Sequence, residues 1–312
     1  MTGKMIQWWR TGFFLNELLP FINKARAADD AIDRCESLCK GLNKAWNEFY
    51  KYRGCNDLLN KTEDERGRSD TQSFRELLLN GIAESQIQPL CESSSLANLA
   101  NLEPRIMNHD TLLKERYDPR NIVPTIVKKA TDEHRQLTNA FARFIKSPND
   151  IELRERLLRK LQQLIYIVRS NIAHSEKTPQ GPDIEKCARD ELVSAVTADV
   201  IDRIFDALLS NPSHRLVVYG TLRSGEVNSH RLQDFDGCWK EALVNGQVSE
   251  RDGFMEFVWK GHKRLSVQVF ASPHLSQKFE DLDRFEGPRY FRILVPVMRD
   301  SEIFVANIYS AV

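Results

Sequence analysis

The feature that most constrains this chain is a change of hydrophobic period at Asn211-Pro212-Ser213. Before it, apolar residues recur at three-to-four spacing, the period that gives a helix one apolar face. Phe13, Phe14, Leu18, Leu19 and Phe21 follow that spacing, and so do Leu38, Leu42, Trp46, Phe49 and Tyr50. The broadest stripe is Ile151, Leu153, Leu157, Leu158, Leu161, Leu164, Ile165 and Val168. It predicts a long helix ending near His174, because Pro179, Gly181 and Pro182 follow. Asp183 is placed to cap a last helix carrying Ile184, Leu192, Val196, Ile201, Ile204, Phe205 and Leu208.

After the break the texture is that of strands. Leu216-Val217-Val218-Tyr219 is a short apolar run bounded by Gly220, and Leu265, Val267 and Val269 alternate with Ser266 and Gln268. Phe291 to Val297 and Ile303 to Tyr309 complete the set. The expected fold class is therefore α+β: an all-α bundle over residues 1–211, then a small barrel or sandwich over residues 212–312. Within the first part, residues 56–72 are polar around Glu63-Asp64-Glu65-Arg66-Gly67-Arg68-Ser69-Asp70 and read as a loop or insertion. Residues 73–120 read as shorter helices, with Pro119 and Pro124 marking the next boundary.

Composition narrows the function classes. A chain of 312 residues with 41 % hydrophobic content can bury two cores. The 44 basic and 44 acidic residues cancel, and residues 211–312 hold 13 of each, so neither half has an excess. Binding of nucleic acid by total charge is not expected; RNA contact would need a local basic patch. No apolar run approaches the roughly 18–20 residues of a membrane span, and Met1 to Arg10 lacks the apolar core of a signal peptide. The six cysteines show no C-x2-C pair and no partner His pair, so they read as reduced thiols rather than metal ligands. The expectation is a cytoplasmic protein with no membrane, metal or cofactor.

Two motifs stand out in the C-terminal part. The first is Val217-Val218-Tyr219-Gly220-Thr221-Leu222-Arg223-Ser224-Gly225, followed by Asn228 and Leu232. The second is Leu282-Asp283-Arg284-Phe285-Glu286-Gly287, followed by Tyr290, Arg292 and Val295. In that order, with strands between them, they resemble the γ-glutamylcyclotransferase-like family over residues 214–312, including its γ-glutamylamine branch. The resemblance implies a small β-barrel and the release of 5-oxoproline from a γ-glutamyl compound, whose own α-amine attacks its γ-carbonyl. That amine is protonated at neutral pH, so the reaction needs a positioned base. Glu286 matches the family's catalytic glutamate, and a carboxylate in an apolar barrel mouth would have a raised pKa. Tyr219, Gly220, Thr221 and Leu222 match the turn that holds the substrate's α-carboxylate. Gly220 would let the backbone turn sharply, and its N–H groups would face the anion. Arg223 and Tyr290 adjoin these motifs as substrate-binding candidates. Arg223 and Arg289 could bind an anionic substrate, or they could be solvated surface residues. The charged Glu250-Arg251-Asp252 stretch departs from the pattern, where the substrate pocket is usually shaped.

The N-terminal part has its own motif, Ile165-Tyr166-Ile167-Val168-Arg169-Ser170-Asn171-Ile172-Ala173-His174-Ser175. With an apolar helix before it, a Pro/Gly turn after it and a further long helix, it resembles the HEPN signature, here as Arg-x4-His. The resemblance implies a HEPN-like bundle and metal-independent RNA cleavage in a defence or toxin setting, completed across a homodimer. His174 would serve as acid or base, Arg169 would fork onto phosphate, and Asn171 is a polar helper. On an ideal helix, positions five apart lie about 140° apart, so Arg169 and His174 converge only where the helix ends or distorts. Arg154, Arg156, Arg159 and Lys160 could hold RNA backbone, but such a run is more often a solvated face.

The combined expectation is a HEPN-type endoribonuclease joined to a barrel that binds or converts a small γ-glutamyl-type ligand. The alternative is a metabolic cyclotransferase whose helical half only dimerises.

Overall fold

The computed structural model describes residues 12–52, 63–114, 124–173, 181–233 and 235–311. Among the described residues ten α-helices come first: α1 (Gly12–Arg26), α2 (Ala31–Tyr52), α3 (Glu63–Glu76), α4 (Glu84–Cys91), α5 (Ser94–Ala100), α6 (His109–Lys114), α7 (Pro124–Ala130), α8 (Asp132–Lys146), α9 (Ile151–Ala173) and α10 (Ile184–Leu208). The second part holds β1 (Arg215–Val218), α11 (His230–Gln233), β2 (Cys238–Asn245), β3 (Gln247–Arg251), β4 (Phe254–Val258), β5 (Arg264–Ala271), α12 (Phe279–Glu286), β6 (Tyr290–Arg299) and β7 (Glu302–Ala311). Among the described residues no helix is long and apolar enough to cross a membrane, and no group of His, Cys, Asp and Glu is arranged to hold a metal ion.

Two compact units result. Helix α1 joins Leu209–Val312 in one, and Ala28–Leu208 forms the other. This departs from a single boundary at 212, and the reason lies in the barrel. Its closed strand order is β1-β5-β2-β6-β7, with β1 and β7 parallel. Strand β6 pairs with β7 along its full length but reaches β2 only at Met298 and Val297. The edge groups left over at Leu294 are taken by α1. Asn23 donates its amide to the Leu294 carbonyl at 2.9 Å and accepts the Leu294 N–H at 2.7 Å. One buried side chain thus stands in for a neighbouring strand, because unpaired main-chain groups inside a core are costly. Arg26 adds a 2.8 Å bond to the buried Asn307 of β7.

Strands β3 and β4 form a separate hairpin. The stretch Glu250-Arg251-Asp252, read from sequence as a reduced region, is its tip. Asp252 (φ 54°) and Gly253 (φ 78°) both take left-handed backbone, the conformation of an Asp-Gly hairpin turn.

In the helical unit, α2 packs against α10 and α8 against α9. The buried face of α9 is Leu157, Leu158, Leu161, Leu164, Ile165 and Val168, as the period predicts, while Ile151 is exposed. Asp183 caps α10 by accepting the Lys186 N–H at 2.9 Å. One expectation fails: part of the polar loop expected over 56–72 is helix, since α3 begins at Glu63. Its C-terminal end is anchored by Phe74, fully buried and stacked on Trp46 with ring centroids 4.8 Å apart. That tertiary anchor outweighs the polar composition upstream, since packing supplies most helical stability.

Candidate functional site

Helix α12 presents Phe279 and Leu282 to a core that also holds Leu216, Leu222, Leu232, Phe270 and Tyr309. Gly287 ends the helix at φ 71°, ψ −172°, a conformation that favours glycine. Glu286 is therefore the last helical residue, where the dipole disfavours negative charge. It is half-buried, and its carboxylate accepts no hydrogen bond among the described residues. Burial raises its pKa to about 7; Arg231 pulls it back and Asp283, one turn earlier, pushes it further up.

The Tyr219 loop leaves the barrel at the end of β1. The Tyr219 hydroxyl donates to the Tyr309 carbonyl at 2.9 Å and accepts the Phe257 N–H at 3.3 Å. It thus ties β7 to the β3–β4 hairpin. Burial, first of all, pushes the Tyr219 phenol well above its ordinary range; the Phe257 N–H opposes this, and the Glu286 carboxylate adds to it. Glu286 also adds to the upward shifts of Tyr290 and Tyr309, each caused chiefly by burial. The carboxylate of the second motif therefore lies within electrostatic reach of the tyrosine that opens the first.

The loop's own main chain is the more telling feature. The Arg223 N–H closes a turn onto the Gly220 carbonyl at 3.1 Å, and Asn228 clasps Thr221 twice: its N–H donates to the Thr221 carbonyl at 3.0 Å, and its amide to Oγ1 at 2.9 Å. The N–H groups of Gly220, Thr221 and Leu222 have no acceptor among the described residues. Successive free N–H groups of this kind suit an anion.

Several expected roles change. Leu222 is buried at 5 % exposure and packs in the core, so its side chain is an anchor and only its N–H is available. Gly220 does not have positive φ, and a Cβ there would meet only Met255, at 3.9 Å. Its turn therefore does not require glycine, contrary to the sequence expectation. The Tyr290 hydroxyl donates to the Met255 carbonyl at 3.2 Å. Arg289 pairs with Asp252 at 3.6 Å and lies over Phe254, so it braces the hairpin. Arg223 is half-buried, with its Nε lacking a partner among the described residues.

Sequence reading missed the support beneath Glu286. Asp283 is held by Arg292 through two bonds, at 3.0 and 3.2 Å, and accepts the Tyr309 hydroxyl at 2.7 Å. The signal was available: Asp283 and Glu286 are three apart on one helix face. Glu256 on β4 was missed too; it is among the charges raising the Tyr219 and Tyr290 phenols, after burial.

In the helical unit, Arg169 lies over the Tyr166 ring at 5.6 Å. Asp70 is half-buried beside it; burial raises that carboxyl, and Arg169 and the Trp46 indole draw it back down. Asn171, at 6 % exposure, donates to the Met107 carbonyl at 3.2 Å. It is a core link rather than a free polar helper. His174 lies outside the described residues. Arg154 pairs with Glu84, and Arg159 with Glu155.

The family model described as gamma-glutamyl cyclotransferase, AIG2-like matches residues 216–311, so the barrel is a domain of that type. No curated protein matches the chain. Among solved structures, YkqA from Bacillus subtilis is similar at 28 % identity, over 31 % of this chain and 35 % of that one, with a TM-score of 0.27. The chain thus spans about a third of that relative. The uncharacterised protein PH0828 from Pyrococcus horikoshii matches at 26 % identity, over 31 % of this chain and 76 % of that one, with a TM-score of 0.25.

Proposed function

We propose that the barrel unit is a γ-glutamyl cyclotransferase that releases 5-oxoproline, with Glu286 as its proton carrier. The observation that supports this most is a half-buried carboxylate with a pKa of about 7, in electrostatic reach of Tyr219, whose loop has three N–H groups with no acceptor among the described residues. In this reading the free N–H groups of Gly220, Thr221 and Leu222 hold the substrate's α-carboxylate. Glu286 takes a proton from the α-ammonium, and the freed amine attacks the substrate's own γ-carbonyl carbon. The five-membered ring closes through a tetrahedral intermediate. The carboxylic acid of Glu286 then returns its proton to the departing nitrogen as the C–N bond breaks, and the second proton shed by the ring nitrogen is taken up by the freed amine, which leaves as an ammonium. The products are 5-oxoproline and a free amine, and no water is consumed. A pKa near the working pH suits a group that must both take and return a proton.

Asp283, fixed by Arg292 and Tyr309, acts as a positioning charge beneath Glu286. Tyr219 braces the hairpin that walls the loop. Incubation with γ-glutamyl compounds should yield 5-oxoproline from the parent protein and none above background from Glu286→Gln. Equal release by both proteins removes Glu286 from the mechanism.

The ribonuclease reading of the helical unit is carried by the Arg169 and His174 motif alone. The contacts around Arg169 and Asn171 favour a bracing role. RNA cleavage that persists in EDTA and is lost in His174→Ala would restore it.

A further inference from the structure

The cyclotransferase reading makes no use of a groove in the helical unit, formed by α3 and α9. It has two parts, of about 850 and 290 Å³, whose walls share Thr71, Lys160, Gln162 and Gln163. The larger part alone has the size of a small-molecule site, roughly 300–1,000 Å³. Four cations line it, Arg75, Arg156, Arg159 and Lys160, against two carboxylates, Glu152 and Glu155. Arg159 takes Glu155 at 3.1 Å, and Glu152 is exposed. Lys160 donates to Gln163 Oε1 at 2.9 Å, a neutral partner that leaves its charge uncompensated. Arg75 and Arg156 have no carboxylate at ion-pair distance among the described residues. Cations on a helix surface are commonly just solvated, so the charge alone makes no site.

The independent observation lies at the bottom of the groove. Gln162, which lines both parts, is only 2 % exposed, and its Nε2 has no hydrogen-bond partner among the described residues. Glu133 of α8 lines the smaller part, and its buried Oε2 has no partner there either. Buried polar atoms are nearly always satisfied, so each exception calls for an explanation. Here an open donor and an open acceptor line one cavity, next to two uncompensated guanidinium groups. The donor calls for an acceptor on a ligand, and the carboxylate oxygen for a ligand's N–H or O–H.

We infer that this groove binds a phosphate monoester of a small polar molecule, with the phosphate among Arg75, Arg156 and Lys160 and the polar part at Gln162 and Glu133. A phosphate monoester brings nearly two charges and three acceptor oxygens on one group. A single carboxylate fills one guanidinium fork and leaves the second open. The edge of a nucleobase and the hydroxyls of a sugar each offer an acceptor beside a donor, so nucleotides and sugar phosphates share this chemistry. The site is independent of the cyclotransferase reading, since all of these residues belong to the helical unit.

The test is calorimetry on the full chain with uridine monophosphate and glucose 6-phosphate. Their uncharged parents uridine and glucose, inorganic phosphate and succinate serve as references. At least one ester should bind tenfold or more tightly than its own parent and than inorganic phosphate, the effect of about one charged contact. Whichever ester binds more tightly names the source of the phosphate. Arg156→Met, at an exposed position, should weaken that ester at least tenfold. Gln162→Leu removes the open donor and should weaken the ester several-fold while inorganic phosphate is unchanged; if this variant does not fold, Arg156→Met decides. Glu286→Gln should leave every constant as it was. No binding by either ester, or binding that Arg156→Met leaves unchanged, overturns the inference. Succinate binding as tightly as the better ester overturns the choice of phosphate. A polyuridylate strand that binds more tightly than uridine monophosphate means that the groove follows an RNA backbone, which overturns the small ligand.

Discussion

The two units carry motifs of comparable length, and their polar groups have opposite fates. In the barrel unit, Glu286 accepts no hydrogen bond among the described residues, and three consecutive N–H groups of the Tyr219 loop have no acceptor there. In the helical unit, Asn171 is bound to Met107 and Arg169 shares its surroundings with Asp70 and Tyr166. His134, deep in that unit, has both ring nitrogens engaged: Nδ1 accepts the Ile106 N–H at 2.8 Å and Nε2 lies 2.9 Å from the Leu99 carbonyl. Buried polar groups that are already satisfied stabilise a fold; those left open are available for a ligand. Among the described residues the barrel motifs keep polar atoms open, whereas Asn171 of the helical motif is spent on holding the fold.

The sharpest way to break this contrast is substitution at Glu286. Glu286→Gln should lower 5-oxoproline release by about 10²–10⁴-fold, the usual range for loss of a general base, with the far-ultraviolet dichroism unchanged. In the parent, kcat/KM should fall as pH drops through about 7, since the base must be ionised in the free protein. Stability should move in the opposite sense. The folded state holds the Glu286 proton more tightly than the unfolded chain does, so this group's contribution is greatest at acid pH. It declines from the ordinary glutamate value up to about 7. Above that pH, Glu286→Gln should unfold later in urea than the parent, by about 1–3 kcal/mol. A variant no more stable at pH 8 than at pH 4, relative to the parent, would mean that the carboxylate is not strained by burial.

The next effect belongs to structure alone. Asn23→Ala leaves the Leu294 N–H and C=O without partners and should destabilise the barrel unit by roughly 2–6 kcal/mol, at about 1–3 per unsatisfied buried group. A urea midpoint unchanged from the parent would show that α1 is dispensable. For the same reason, a fragment starting at residue 209 should be less stable than one that keeps α1.

Asn171→Ala should cost about 1 kcal/mol and leave 5-oxoproline release as it was. A large loss of RNA cleavage with stability intact would return Asn171 to a site. The smallest effect is expected at Gly220. Gly220→Ala should change stability by less than about 0.5 kcal/mol, since the backbone there does not need positive φ. Any weakening of ligand binding would then report the added methyl in the loop proposed to hold the carboxylate.

Much of this was legible in the residues themselves. Alternation gave β5, apolar runs gave β1, β6 and β7, helical period gave α2, α9 and α10, and Asp183 marked the cap of α10. The Tyr219 and Glu286 motifs were readable because each is a local run. The β3–β4 hairpin was hidden by its charges, although Asp252-Gly253 is a turn signal, because one unpaired hairpin has little apolar alternation to show. Helix α3 was hidden because its anchor, Phe74 on Trp46, joins residues far apart in sequence.

The sequence by itself determined where helix gives way to sheet and which carboxylate ends α12, since both follow from neighbours within a turn or a strand. Only the tertiary structure decided that α1 belongs with the barrel, that Leu222 is an anchor, and that Arg231 adjoins Glu286. Each of those depends on which groups meet once the chain is closed on itself. A side chain such as Asn23 acquires its role only when a strand elsewhere leaves an N–H and a carbonyl exposed in the core.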